Sequence, residues 1–256
     1  MRTSTALALP LLVTASMCAS ASAQIIWDSN GFEQPAYEVG DLSGQEGWTT
    51  LGIPSLTRGH RVVAGSGPSG GSQVVEAWHD GNSGNGISQS VDYVFDAAGT
   101  FQFSSDFRLD SSWFDRDSGS TYESGISVGL GTDSQRFTWS LLATKTDAFE
   151  GWSLTDGTTD DILASTLDTD WHNLMITYDN ATGMMSGFVD GNFVSSMSFS
   201  PESFSKLYSV ELFSNRQSTT HPGSAYYDTA VAAVPEPSTM AALGLGLACL
   251  LRRRKK

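Results

Sequence analysis

Cysteine is nearly absent: the 256 residues hold two, Cys18 and Cys249, one near each end. Disulfides therefore cannot hold the interior together, and a thiolate zinc cage is ruled out. Cations are also few, 14 Lys and Arg against 28 Asp and Glu, for a net charge of −14. So acidic a surface repels nucleic acid and anionic lipid while tolerating cations and neutral sugars, which excludes a nucleic-acid partner. There is neither an H-E-x-x-H pair nor a G-x-x-x-x-G-K-[ST] loop, and the four histidines, His60, His79, His172 and His221, are scattered. Zinc-protease and nucleotide-cradling chemistry have no footing. His79 reads as a loop residue and His172 as part of a strand, held by packing or a backbone hydrogen bond.

What is present at the two ends sets the route of the chain. Arg2 supplies a positive n-region, residues 6–17 an apolar h-region, and Ala21-Ser22-Ala23 a small-residue cleavage site. That order specifies a signal peptide over residues 1–23, removed by signal peptidase before Gln24. At the other end Pro235, Glu236 and Pro237 precede a charge-free run, residues 240–251, and then Arg252, Arg253, Arg254, Lys255 and Lys256. The run can enter hydrocarbon while the cations stay cytoplasmic. It is shorter than the roughly 20 residues of a comfortable span, so it reads as a short, transient transmembrane helix.

Residues 234–256 resemble the PEP-CTERM sorting signal of bacteria that make extracellular polysaccharide. The resemblance implies recognition by exosortase, a membrane transpeptidase-like enzyme, and passage through the inner membrane to the cell surface or matrix. Both cysteines and six cations leave with the two ends. Residues 24–233 remain as one disulfide-free domain with eight Lys and Arg, long enough to bury its own core.

That domain reads as all-β. Phe101, Phe103, Ser105, Phe107 and Leu109 alternate with polar residues, the period of a strand with one buried face. Further short β-branched or aromatic runs cover 72–79, 86–95, 126–130, 136–144, 150–154, 171–178, 184–189, 207–213 and 225–234, separated by Gly, Ser, Asn and Asp. Many short strands at this spacing predict a two-sheet antiparallel sandwich or jelly roll. Within it, Asp179-Asn180-Ala181-Thr182-Gly183 and Asp190-Gly191 supply two successive hairpin turns. Trp171, His172, Tyr178, Asp179, Gly183, Asp190 and Gly191 resemble the W-H…Y-D…T-G…V-D-G pattern of LamG-like domains in the concanavalin A-like lectin/glucanase superfamily. The pattern consists of turn and core residues, so it implies a fold rather than a site.

The superfamily includes glucanases, and retaining hydrolysis needs two carboxylates about 5–5.5 Å apart. Glu76, Glu123, Glu150, Glu202 and Glu211 each lack an acid two residues on, which argues against an enzyme. Calcium, which takes six to eight oxygens, has one candidate set: Asp28 or Glu33 near the opening strand with Asp228 on the closing one, a place where related sugar-binding modules hold structural calcium. The alternative is solvated acid. A second set, Asp115, Asp117 and Glu123 with Asp110 nearby, reads as solvated acids that keep strand edges from pairing. For glycan contact the candidates are Trp78, His79 and Trp113, the last in an acidic loop. Trp139, Trp152 and Trp171 read as core. The expected function is an exported, surface-sorted domain that binds extracellular glycan without catalysis, with a glycan hydrolase or a purely structural coat protein as alternatives.

Overall fold

The structure, a computed structural model, describes residues 23–51, 58–79, 85–94, 99–115, 119–132, 135–198, 204–216 and 223–235. Ala21, Glu236, Pro237, Arg252, Arg253, Arg254 and the expected tail helix lie outside them. Among the described residues no helix is long and apolar enough to cross a membrane.

In chain order the strands are β1 (Ala23–Asp28), β2 (Gly40–Asp41), β3 (Trp48–Leu51), β4 (Arg58–Ala64), β5 (Gln73–His79), β6 (Asn85–Val94), β7 (Thr100–Leu109), β8 (Tyr122–Gly131), β9 (Arg136–Lys145), β10 (Glu150–Thr155), β11 (Asp160–Ala164), β12 (His172–Asp179), β13 (Met184–Val189), β14 (Asn192–Ser198), β15 (Lys206–Arg216) and β16 (Gly223–Pro235). A nine-stranded sheet runs β14-β13-β12-β7-β16-β5-β4-β2, with β1 also paired to β16. A seven-stranded sheet runs β11-β10-β9-β8-β15-β6-β3. Their pairings are antiparallel. The all-β sandwich expected from the alternating runs is the observed architecture.

The alternation explains which side of each strand is buried. On β7 the residues Phe101, Phe103, Phe107 and Leu109 turn inward while Gln102, Ser104, Asp106 and Arg108 stay partly exposed. They meet Ile126, Val128, Trp139, Leu154, Val210 and Leu212 from the other sheet in one apolar core. Each such side chain stabilises the fold by about 1.5–3 kcal/mol on burial. Tyr227 of β16 crosses that core, its hydroxyl 2.6 Å from the Phe213 carbonyl and 3.1 Å from that of Gly125. Complete burial pushes its phenol far above the ordinary range, so it stays neutral and ties the sheets together.

One strand departs from simple alternation. Against β8, Leu207 pairs with Leu130 and Ser209 with the next residue, Gly129, leaving Tyr208 as an extra residue on β15. A bulge of this kind inverts the alternation. Leu207, Val210 and Leu212 face the core, and Ser209 and Glu211 are delivered to the outer face.

Candidate functional site

The outer face of the seven-stranded sheet carries a pocket of about 240 Å³, room for a single sugar ring. Small residues make it possible. Ser88 and Ser90 of β6, Gly129 of β8, Thr138 of β9 and Ser209 of β15 form much of the wall. A methyl group at Gly129 would collide with the Ser209 hydroxyl, so glycine is needed for that hydroxyl to lie across the neighbouring strand. Arg136 and Tyr208 also line the pocket, the guanidinium carbon 4.1 Å from the centre of the Tyr208 ring. The ring is fixed in turn by its hydroxyl, which donates to the Thr132 carbonyl at 2.6 Å.

Glu211 is 8% exposed in this pocket and accepts from the Ser209 hydroxyl at 3.1 Å. Burial pushes its carboxyl above the usual carboxylate range, and the Ser209 bond only partly offsets this. Sequence reasoning passed over Glu211 because it has no acid two residues on. Among the described lining residues it is the one carboxylate, set among hydroxyl groups.

Two of the acids expected at the paired opening and closing segments, Asp28 and Glu33, line one depression. It measures about 400 Å³ and is lined also by Asn30, Ser69 and Thr229, among others. Asp228 borders it, fully buried, accepting from the Ser69 hydroxyl at 2.5 Å and the Thr229 backbone at 2.8 Å. Glu33 accepts from the backbones of Ser72 and Gln73 and from the Ser72 hydroxyl, at 2.7–2.8 Å. Burial alone would raise its pKa, but these bonds outweigh it and hold the carboxyl below its ordinary value. Asp28 accepts from the Asn30 backbone at 2.7 Å. Among the described residues no three side chains of His, Cys, Asp or Glu group closely enough to hold a metal ion. The oxygens are the hard donors calcium prefers, yet side chains alone do not form a cage.

In the second acidic set, Asp110 caps the turn Ser111–Phe114 by accepting from the Ser112 backbone at 2.9 Å. Glu123 accepts from the Asn215 amide at 3.0 Å, and Asp117 lies outside the described residues.

Two aromatic expectations need correction. Trp113 is 2% exposed rather than presented in an open loop. The capped turn swings it inward against Tyr122 and Phe114, and its indole donates to Ser124 at 3.1 Å. Trp171, read as core, instead stands on the outer face of the nine-stranded sheet, half-buried with Arg108 5.1 Å from its ring centre. His172 packs edge-on against Trp152, ring centres 5.6 Å apart, as one of its two expected roles had it, and it also lies between Asp190 at 2.7 Å and Asp168 at 3.0 Å. Burial would lower its pKa, but the two carboxylates outweigh this and raise it. Trp78 is half-buried on the outer face of the nine-stranded sheet, with Arg61 4.7 Å from its ring centre. His79 ends β5, and its side chain lies outside the described residues. Trp78 is not among the residues lining the pocket on the other sheet.

The loop 67–71 spells G-x-S-x-G, but its Ser69 hydroxyl donates to Asp228 and no helix follows. It is a clasp over a carboxylate, and among the described residues no histidine bonds Ser69 as a hydrolase triad would require.

Comparison with known proteins identifies residues 233–255 as a PEP-CTERM protein-sorting motif, which marks an exported protein directed to the cell envelope or surface through exosortase. No curated protein matches the chain in sequence. The fold is similar to that of the conserved carbohydrate esterase vb_24B_21 from the Shiga toxin-encoding bacteriophage phi24B, at 14% identity and a TM-score of 0.54, over 84% of this chain and 100% of that one. The potassium-bound Emp46p carbohydrate recognition domain aligns at 14% identity and a TM-score of 0.49, over 80% of this chain and 96% of that one. The alginate lyase AlyC3 complex with dimannuronate aligns at 10% and 0.48, over 64% and 75%. At these identities the likeness concerns the fold.

Proposed function

We propose that the mature domain is a non-catalytic glycan-binding module that associates with exopolysaccharide or matrix, and that the pocket around Glu211 is its sugar site. The carrying observation is the pocket itself: a concavity walled by serine and threonine hydroxyls with a stacked Arg136–Tyr208 pair. Hydroxyls and fixed polar groups of this kind recognise polyols. A single carboxylate among the described lining residues supports binding over hydrolysis, which calls for two. A glycan array together with a reducing-end assay tests the reading. Retention without release of reducing ends is expected; release would make the protein a hydrolase, and no retention would leave a coat protein.

Signal peptidase and exosortase act on the two ends, and the tail is released after sorting. Intact mass of the surface-exposed protein should therefore lack residues 252–256, whereas a mature chain still ending in RRRKK would be permanently tethered.

A structural calcium ion belongs to the depression beside Asp228. Asp228 favours it, fully buried and in no ion pair among the described residues, because buried charge is costly unless compensated. Asp28 or Glu33 with Asp228 would supply the carboxylate oxygens, and backbone oxygens or water the rest, linking the opening segment to β16. A ligand held only by the folded state raises stability, so excess calcium should raise the melting temperature above that in EGTA; coincident melts would exclude the ion.

A further inference from the structure

We infer that the pocket on the seven-stranded sheet takes an acidic sugar, a uronate unit, in preference to a neutral one; this rests on the glycan reading above. The first observation is the state of Arg136. Among the described residues Arg61 pairs with Glu76, Lys145 with Glu150 and Lys206 with Asp92. Arg108 and Arg136 pair with no carboxylate there: Arg108 lies over both Trp171 and Tyr226 on the other sheet, whereas Arg136 has the face of Tyr208 as its one side-chain partner. Stacking fixes the plane of the guanidinium and leaves its N–H edges to donate, the geometry that grips a carboxylate through two parallel bonds.

The second observation is what surrounds it. The groups facing the pocket from β6 are Ser88 and Ser90; from β8, Gly129; from β9, Arg136, Phe137 and Thr138; from β15, Tyr208, Ser209 and Glu211; and from β3, Leu51. The titratable ones are Arg136, Tyr208 and Glu211. Glu211 is nearly buried and accepts from the Ser209 hydroxyl at 3.1 Å, while Arg136 is exposed, so the charge the pocket presents to an incoming ligand is that of the guanidinium. In a chain with twice as many acids as cations, a pocket offering an unpaired arginine and no open carboxylate is a local inversion of the surface. The hydroxyl wall then serves the ring of the same sugar.

The test uses the full-length protein and one polymer in two forms: polygalacturonate, and the same polymer with its carboxyls reduced to alcohols. Binding at least ten-fold tighter to the acidic form, weakening as salt rises, is expected. Arg136→Gln should erase the preference and Arg136→Lys should restore part of it. Equal binding to both polymers, or a preference unchanged in Arg136→Gln, overturns the inference. Retention of neutral glycans alone overturns it while leaving the sugar-binding reading intact; absence of binding to any glycan overturns both.

Discussion

Replacing Gly67 with alanine tests the clasp that joins the opening and closing segments of the domain. The added methyl would overlap the Asp228 carboxylate, so either the loop withdraws or Asp228 turns. Both movements break the bonds from Ser69, of which the hydroxyl bond at 2.5 Å is strong and the backbone bond at 3.4 Å weak. A hydrogen bond to a buried charged group contributes about 1.5–3 kcal/mol. The lower entropy of alanine in the unfolded chain returns about 0.4–1 kcal/mol, leaving a net loss of about 1.5 kcal/mol. For a domain of this size that lowers Tm by about 3–6 °C. Urea denaturation of the full-length protein, compared with Ser69→Ala and the double variant, reads the effect. Because both changes remove the same bond, the double variant should cost little more than the worse single one. A Gly67→Ala midpoint indistinguishable from wild type, or costs that sum in full, would refute the clasp.

Trp113→Ala should destabilise by about 3–5 kcal/mol, as large-to-small changes in cores do, and leave glycan binding of the folded protein unchanged. An exposed binding aromatic would give the reverse, lost binding at constant stability. His172 has a raised folded pKa, so its contribution is fully present below its ordinary value of about 6.5 and is lost as pH rises through the elevated folded value. Urea midpoints should therefore decline over that interval in wild type and decline less in His172→Gln; parallel profiles would count against the Asp168–His172–Asp190 bridge.

The sandwich was legible where burial follows a strict period of two, as on β7, and where turn residues are explicit, as at Asp179–Gly183 and Asp190-Gly191. It was not legible where one residue is inserted. Read by alternation, Ser209 and Glu211 of β15 share a face with Leu207; the bulge at Tyr208 moves them to the opposite face and thereby creates the pocket. Its other walls come from four more strands, so no spacing along the chain announces it. The opposite error befell Trp113, whose acidic neighbours suggested a solvated loop. A side-chain cap from Asp110 starts a short helical turn that sends the indole into the core. The grouping of Asp28, Glu33 and Asp228 was accessible because the first and last strands of the sandwich lie side by side, with Asp28 opposite Val231. The hydrogen bonds from Ser69 and Ser72 that occupy those carboxylates come from a distant loop and left no local signal.

On the proposed function, the outer face of the seven-stranded sheet binds sugar. Ser90 and Thr138 are exposed positions on that face, so a Ser90→Leu/Thr138→Leu double variant fills the pocket with apolar bulk without disturbing the core. Glycan affinity measured by titration calorimetry, alongside the melting temperature, tests the claim most directly. Affinity should fall at least ten-fold while the melting temperature stays within a few degrees of wild type. Undiminished affinity in the folded double variant would contradict the assignment and move the sugar site elsewhere on the domain.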